Sequence, residues 1–188
     1  MPRKGLDREQ VLDAAEQIAN QEGLQALTIA RLAAALNIKP PSLYNHIESL
    51  DQLIDGLTVR GMRMMIDLTR DAAAGKSCKD ALCAVAHVHR NAARTRPGLY
   101  TATQVSVQKF GPEAQELAGV YLQVILSVLQ GYHLEEEQAL HAVRILRALL
   151  KGFIDLELGG GFGMPLKIDE TFQVMLDTFD AGLRRTGG

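Results

Sequence analysis

Apolar residues in this chain recur three and four positions apart in segment after segment, and nowhere do they alternate. That spacing draws one apolar stripe along a helix and does not suit a strand, so the sequence predicts an all-α fold. Composition supports the same reading: 47% of residues are hydrophobic, only 5% are aromatic, and tryptophan is absent. A core of Leu, Ala, Val, Ile and Met favours helix over sheet.

Capping residues and breakers divide the chain into about nine helices. Asp7 with Gln10 has the spacing of a capping box, and Val11, Leu12, Ala15, Ile18 and Ala19 follow as a stripe that Gly23 ends. Thr28 is a good N-cap for a short helix over 29–36, with Asn37 suited to the left-handed turn that closes it. Pro40 and Pro41 open another short helix through His46, since proline suits a first helical turn. Ser49 and Gln52 open a long one to about Ala74. Further helices are predicted over 78–95, 97–107, 112–130, 135–158 and 168–185. From these boundaries we expect a small three-helix N-terminal domain over 1–50 and a larger helical domain over 51–188.

Several function classes drop out. No signal peptide or bilayer-spanning stretch is evident, so a soluble cytoplasmic protein without membrane contact is expected. Cys78 and Cys83 lie five apart on one predicted helix, where their side chains diverge, and read as free thiols. His87 and His89 point to opposite sides of that helix, so neither pairs as a metal ligand; no metal, cofactor or catalytic residue is assigned. The glycines at 159–163 lack the Lys-Ser/Thr of a phosphate loop. Net charge is −2, and residues 1–60 carry six basic side chains (Arg3, Lys4, Arg8, Arg31, Lys39, Arg60) against eight acidic ones. Any contact with nucleic acid must therefore be local.

The local candidate is the pair of short helices joined at Asn37-Ile38-Lys39. In a helix-turn-helix the second helix enters the major groove and offers its first residues to base edges. Leu43 and Ile47, four apart, point inward, while Lys39, Pro40, Ser42, Tyr44, Asn45 and His46 protrude. Tyr44 and His46 suit phosphate oxygens; Ser42 and Asn45 can hydrogen-bond bases. A solvated helical corner would show the same pattern.

The run from Leu27 to Ile47, Leu27-Thr28-Ile29-Ala30-Arg31-Leu32-Ala33-Ala34-Ala35-Leu36-Asn37-Ile38-Lys39-Pro40-Pro41-Ser42-Leu43-Tyr44-Asn45-His46-Ile47, closely resembles the DNA-binding signature of the TetR (tetracycline repressor) family. The resemblance extends over Arg8 to Leu53. Ile145-Leu146-Arg147-Ala148-Leu149-Leu150-Lys151-Gly152-Phe153, with Leu156-Glu157 and Gly160-Gly161-Phe162, resembles a regulatory-domain subgroup of that family, with Lys151 where the subgroup usually carries His. The resemblance implies a homodimeric repressor of palindromic double-stranded operator DNA, released when a small molecule binds the larger domain. By position it implies that Thr28 contacts a phosphate and that Pro40, Pro41, Ser42, Tyr44, Asn45 and His46 line the groove. Leu50 stands where members often have a phosphate-clamping Lys. Arg3 and Lys4 are either a minor-groove arm or a solvated terminus.

The helix over 135–158 has only a thin polar stripe (His141, Arg144, Arg147, Asp155), and the last helix is apolar at Ile168, Phe172, Met175, Leu176, Phe179 and Leu183. Such helices need cover on more than one side. A four-helix interface between two copies would supply it, with Phe153, Phe172, Met175, Phe179 and Leu183 in the seam and Gly152 and Gly182 permitting close approach. An intramolecular bundle is the alternative. Met62, Met65, Tyr100, Gln104, Phe110 and Tyr121 lie where the family's pocket is usually found, with Arg147 at its edge, and equally suit plain core. His89, aimed inward, is either a satisfied core histidine or a contact to a mostly apolar ligand. The rival function is a helical protein-interaction module without DNA binding.

Overall fold

The computed structural model describes residues 6–187 apart from 106 and 110. Arg3, Lys4 and Phe110 lie outside the described residues. The described chain holds nine α-helices and no strand: α1 (Arg8–Glu22), α2 (Ile29–Ala35), α3 (Pro40–Leu43), α4 (Leu50–Ala73), α5 (Cys78–Thr95), α6 (Pro97–Ala102), α7 (Pro112–Leu129), α8 (Glu136–Leu158) and α9 (Ile168–Gly187). Among these residues no single helix is long and apolar enough to cross a membrane.

The expected caps form. Asp7 Oδ1 accepts from the Gln10 amide at 2.8 Å and Gln10 Oε1 accepts from the Asp7 amide at 2.9 Å. Thr28 Oγ1 accepts from Arg31 N at 3.1 Å, and Asn37 takes the left-handed turn at φ 54°. Two helices end sooner than their periodicity predicts. α3 stops at Leu43, and Tyr44–His46 continue in tighter turns bonded three residues back, with His46 N donating to Leu43 O at 2.8 Å. α6 stops at Ala102, where the Thr103 hydroxyl turns back to donate to the Tyr100 carbonyl at 2.7 Å and competes with the helical pattern.

Packing divides the chain into two units, Met1–Met64 with Thr95–Ala118, and Met65–Arg94 with Gly119–Gly188. This differs from a division at residue 50: half of α4, all of α6 and the start of α7 join the first unit. Its core contains the α1 stripe (Val11, Leu12, Ala15, Ile18, Ala19), Leu32 and Ala33 of α2, Leu43, Ile47, Leu53 and Leu57, and also Leu99 and Ala102 of α6. Leu50, at the first position of α4, packs half-buried against the same cluster.

In the second unit, Leu82, Val85, Leu129, Leu150, Ile154, Phe172 and Leu176 are almost wholly buried. Arg90, which its place on the charged side of α5 suggests is solvated, is instead buried. Its guanidinium lies over the rings of Phe172 and Phe153, 4.7 and 5.7 Å from their centroids, while the rings themselves meet at 4.9 Å, and it pairs with Glu157 of α8 and Asp169 of α9. Arg94 shares the Glu157 carboxylate.

Candidate nucleic-acid interface

α2 and α3 form a corner whose inner side is sealed and whose outer side is polar. The α2 C-terminus closes through Asn37, and Ile38 N donates to the Ala33 carbonyl at 3.0 Å. Lys39 then caps α3 without a side-chain bond, Pro40 and Pro41 fill its first turn, and Ser42 N donates to Lys39 O at 2.9 Å. Leu43 and Ile47 drop into the core behind it. That anchoring leaves Lys39, Pro40, Pro41, Tyr44 and Asn45 exposed, with Ser42 and His46 half-buried at the base of the same surface. Tyr44 is 58% exposed, a large ring held out of the core.

Hydroxyl, carboxamide, imidazole and ammonium groups thus project from one two-turn segment, the set that reads phosphate oxygens and base edges. Thr28 is also exposed; its oxygen caps α2, and its hydroxyl proton remains able to donate outward. Arg31 does not add free charge here: it clasps Glu22 at 2.5 Å and holds that carboxyl below its ordinary range through the hydrogen bond. Arg60 likewise binds Glu9, Asp13 and Glu16 at 2.6, 2.7 and 3.1 Å. Lys39 is the cation on the surface carried by α3.

The residues considered for a ligand divide between the two units. Met62, Tyr100 and Gln104 belong to the first, where Met62 joins Val59 and Ala114 in a small core cluster and Tyr100 is buried. Met65, His89, Tyr121 and Arg147 belong to the second. There His89 Nε2 and the Tyr121 hydroxyl are 2.7 Å apart, and Thr69 Oγ1 lies 3.3 Å from the same hydroxyl. Burial, with Arg147 adding to it, pulls the His89 pKa down to about 4; burial pushes Tyr121 up to about 12. Both groups are neutral at physiological pH. Thr69 was not singled out from sequence, although it continues the Met62, Met65 stripe of α4 at helical spacing and is fully buried.

The residues expected in a seam between two copies divide in their placement. Phe153 and Phe172 are buried within the second unit, where both rings lie against Arg90, and Phe179 and Leu183 are also largely buried. Of the expected residues, Gly152 is exposed, and Met175 and Gly182 are half-buried. Along α8 and α9 runs an open groove of about 830 Å³ whose lining includes Ile145, Leu149 and Thr178 together with the expected Met175, Phe179, Gly182 and Leu183. Beyond Gly152 and Gly182 lies open space. No group of three or more His, Cys, Asp or Glu among the described residues could hold a metal ion.

Comparison with known proteins accords with this geometry. Residues 11–57 match the bacterial regulatory proteins of the tetR family, and residues 82–179 match a tetracyclin repressor-like C-terminal domain. The chain is 35% identical over 97% of its length, and 95% of the relative's, to the uncharacterized HTH-type transcriptional regulator YobS of Bacillus subtilis (strain 168). It is 32% identical to the uncharacterized HTH-type regulator Rv0681 of Mycobacterium tuberculosis, over 96% of this chain and 83% of that one. Among solved structures, a TetR variant of Acinetobacter baumannii AYE in complex with minocycline superposes with TM-score 0.71 at 19% identity, covering 98% and 99% of the two chains. BioQ with its double-stranded DNA operator superposes with TM-score 0.68 at 19% identity, covering 96% and 99%. With an N-terminal helix-turn-helix and a helical C-terminal domain, each matched along the chain, this protein belongs to the TetR family of DNA-binding transcriptional regulators.

Proposed function

We propose that the protein is a repressor that binds palindromic operator DNA as a homodimer and lets go when a small, mostly apolar effector enters its second unit. The observation that carries this reading is the outward polar face of α3, held by Leu43 and Ile47 from behind. Thr28, Lys39, Pro40, Pro41, Ser42, Tyr44, Asn45 and His46 are the groove-facing set, and Arg3 and Lys4 precede α1 as a candidate arm.

Dimerisation is supported by spacing. Ile145, Leu149, Gly152 and Leu156 follow one another at intervals of four, three and four, and Met175, Thr178 and Gly182 at three and four. These intervals make straight seams on α8 and α9, with small residues where two helix pairs would cross. For the effector, the neutral His89–Tyr121–Thr69 cluster offers hydrogen bonds, and Arg147 lies close enough to act on His89 electrostatically, so a mostly apolar ligand with few polar groups is favoured.

The test begins by enriching duplexes from a random-sequence library with the wild-type protein. We expect a palindrome whose half-sites sit about 34–36 Å apart, one helical turn. Tyr44→Ala should weaken binding to that duplex by about 1–3 kcal/mol per subunit with circular dichroism unchanged. Ile145→Glu should turn the dimer into a monomer in sedimentation. Enrichment of no palindrome, or a wild-type monomer at micromolar concentration, refutes the reading.

A further inference from the structure

α6 is short, and its own N-cap residue, Arg96, makes no side-chain cap. The cap comes from another helix: Asn20 Oδ1, near the end of α1, accepts from the Gly98 amide at 2.9 Å. This satisfies one of the donors that an uncapped first turn leaves orphaned. The two backbones meet there without an intervening side chain. A Cβ on Gly98 would lie 2.5 Å from the Ala19 carbonyl carbon and 2.7 Å from Asn20 N. At the very next residue α6 meets α4 in the same way, since a Cβ on Gly61 would lie 2.7 Å from the Leu99 carbonyl oxygen. Arg96 adds a 3.4 Å bridge to Glu16, and Arg60 of α4 ties the outer face of α1 through three carboxylates.

These contacts bear on α3 through a shared core. Ala19, on which Gly98 sits, belongs with Val11, Ala15 and Ile18 to the apolar cluster that also contains Leu43 and Ile47, the residues that seat α3. Leu99 and Ala102 of α6 are buried in that cluster too. α6 is therefore a wall of the DNA-reading unit. A backbone-to-backbone seat transmits displacement with little slack, because close-packed interiors have no room to absorb it.

We propose that Asn20 is a positioning residue for operator recognition: by capping α6 at Gly98 it fixes the wall against which the groove-reading segment is set. Asn20 does not touch DNA in this scheme; it acts through Ala19, α6 and the core behind Leu43. The inference rests on the operator-binding reading above.

The experiment uses the full-length protein and the duplex that the wild type enriches from a random library, with a scrambled duplex of equal length as competitor. Removing the acceptor in Asn20→Leu should lower the ratio of specific to non-specific affinity by about tenfold with helicity retained. Asn20→Asp keeps an oxygen that accepts the same N–H and should restore the ratio to within about threefold of wild type. A merely structural role would lower both affinities together and leave the ratio unchanged; that outcome, or failure of the Asp variant to rescue, overturns the proposal. Should Asn20→Leu not fold, amide exchange at Gly98 in the wild type decides. It should slow by about tenfold when the enriched duplex is bound, and an unchanged rate overturns the proposal. A wild type that enriches no duplex breaks the operator-binding reading itself, whereas enrichment with an unaltered ratio in Asn20→Leu breaks this inference alone.

Discussion

The two packing units handle charge in opposite ways. In the first, the core is mostly apolar, the buried Thr58 and Thr103 hydroxyls donate to backbone carbonyls, and the ion pairs lie towards the surface. Arg31–Glu22, Arg63–Glu113, Arg96–Glu16 and the Arg60 pairs with Glu9 and Asp13 each have at least one partner well exposed, and of these contacts only Arg60–Glu16 is partly buried on both sides. The second unit takes charge inside. Arg90 and Glu157 have side chains only 6% and 8% exposed, Asp180 is buried beside Tyr132, and His89 sits with Tyr121 and Thr69. Exposed pairs contribute little, whereas breaking a buried one strands a charge away from water. The second unit should therefore be the more sensitive to single substitutions and to pH, and the first should draw its stability from packing.

The largest effect is expected at Glu157. Glu157→Ala deprives both Arg90 and Arg94 of the carboxylate they share, and leaves Arg90 buried against Phe153 and Phe172. Loss of about 3–5 kcal/mol is expected in denaturant unfolding, although exposed Asp169 still pairs with Arg90. A loss under about 1 kcal/mol would mean that the cluster behaves like the surface pairs of the first unit.

Next comes pH. His89 is held neutral, its folded pKa of about 4 lying below the ordinary 6.5. The unfolded chain therefore binds the extra proton first as pH falls. Stability from this group is intact above pH 6.5 and declines between pH 6.5 and 4, by about 3 kcal/mol once both states are protonated. His89→Gln should flatten that part of the stability curve. A wild type and variant that fall in parallel across the window would show that His89 is better solvated than its contacts with Tyr121 suggest.

How much of this the sequence revealed depends on distance along the chain. The Asp7–Gln10 box, the Thr28 cap and the left-handed Asn37 were legible because each involves residues within a few positions, and the whole polar face of α3 follows from them. The placement of α6 was not legible, since its Leu99 and Ala102 join a core whose other members lie at least forty positions away. Which side of α8 and α9 their own chain covers was not legible for a related reason. A helix that is apolar on nearly all sides does not say which flank faces inward, and Phe153 and Phe172 went inward against Arg90, whose place on the charged side of α5 suggests solvent.

Leu50 gives a smaller, more local test of the first unit's apolar character. It occupies a position where relatives often place a phosphate-binding lysine, but it packs half-buried on the core at the start of α4. Leu50→Lys should lower stability by about 1 kcal/mol, the loss of part of a buried side chain. It should not strengthen binding to the enriched duplex, because the lysine stem would follow the leucine inward before its charge could reach outward. A gain in affinity with a steeper salt slope would show that the position is free to act as a clamp.

The smallest effect, and the sharpest check on the contrast, belongs to Arg63 and Glu113. Their side chains meet at 2.5 Å, a shorter contact than many in the molecule, yet both remain more than half exposed. Geometry alone would rank this pair beside Arg90–Glu157, which meet at the same distance. Environment ranks it far below, because water screens the attraction and both long side chains lose freedom to maintain it. Arg63→Ala, Glu113→Ala and the double variant should each change the unfolding free energy by less than about 1 kcal/mol, with a coupling of a few tenths that fades as salt is raised. A coupling above about 2 kcal/mol that persists at high salt would mean that burial is not what separates the two units.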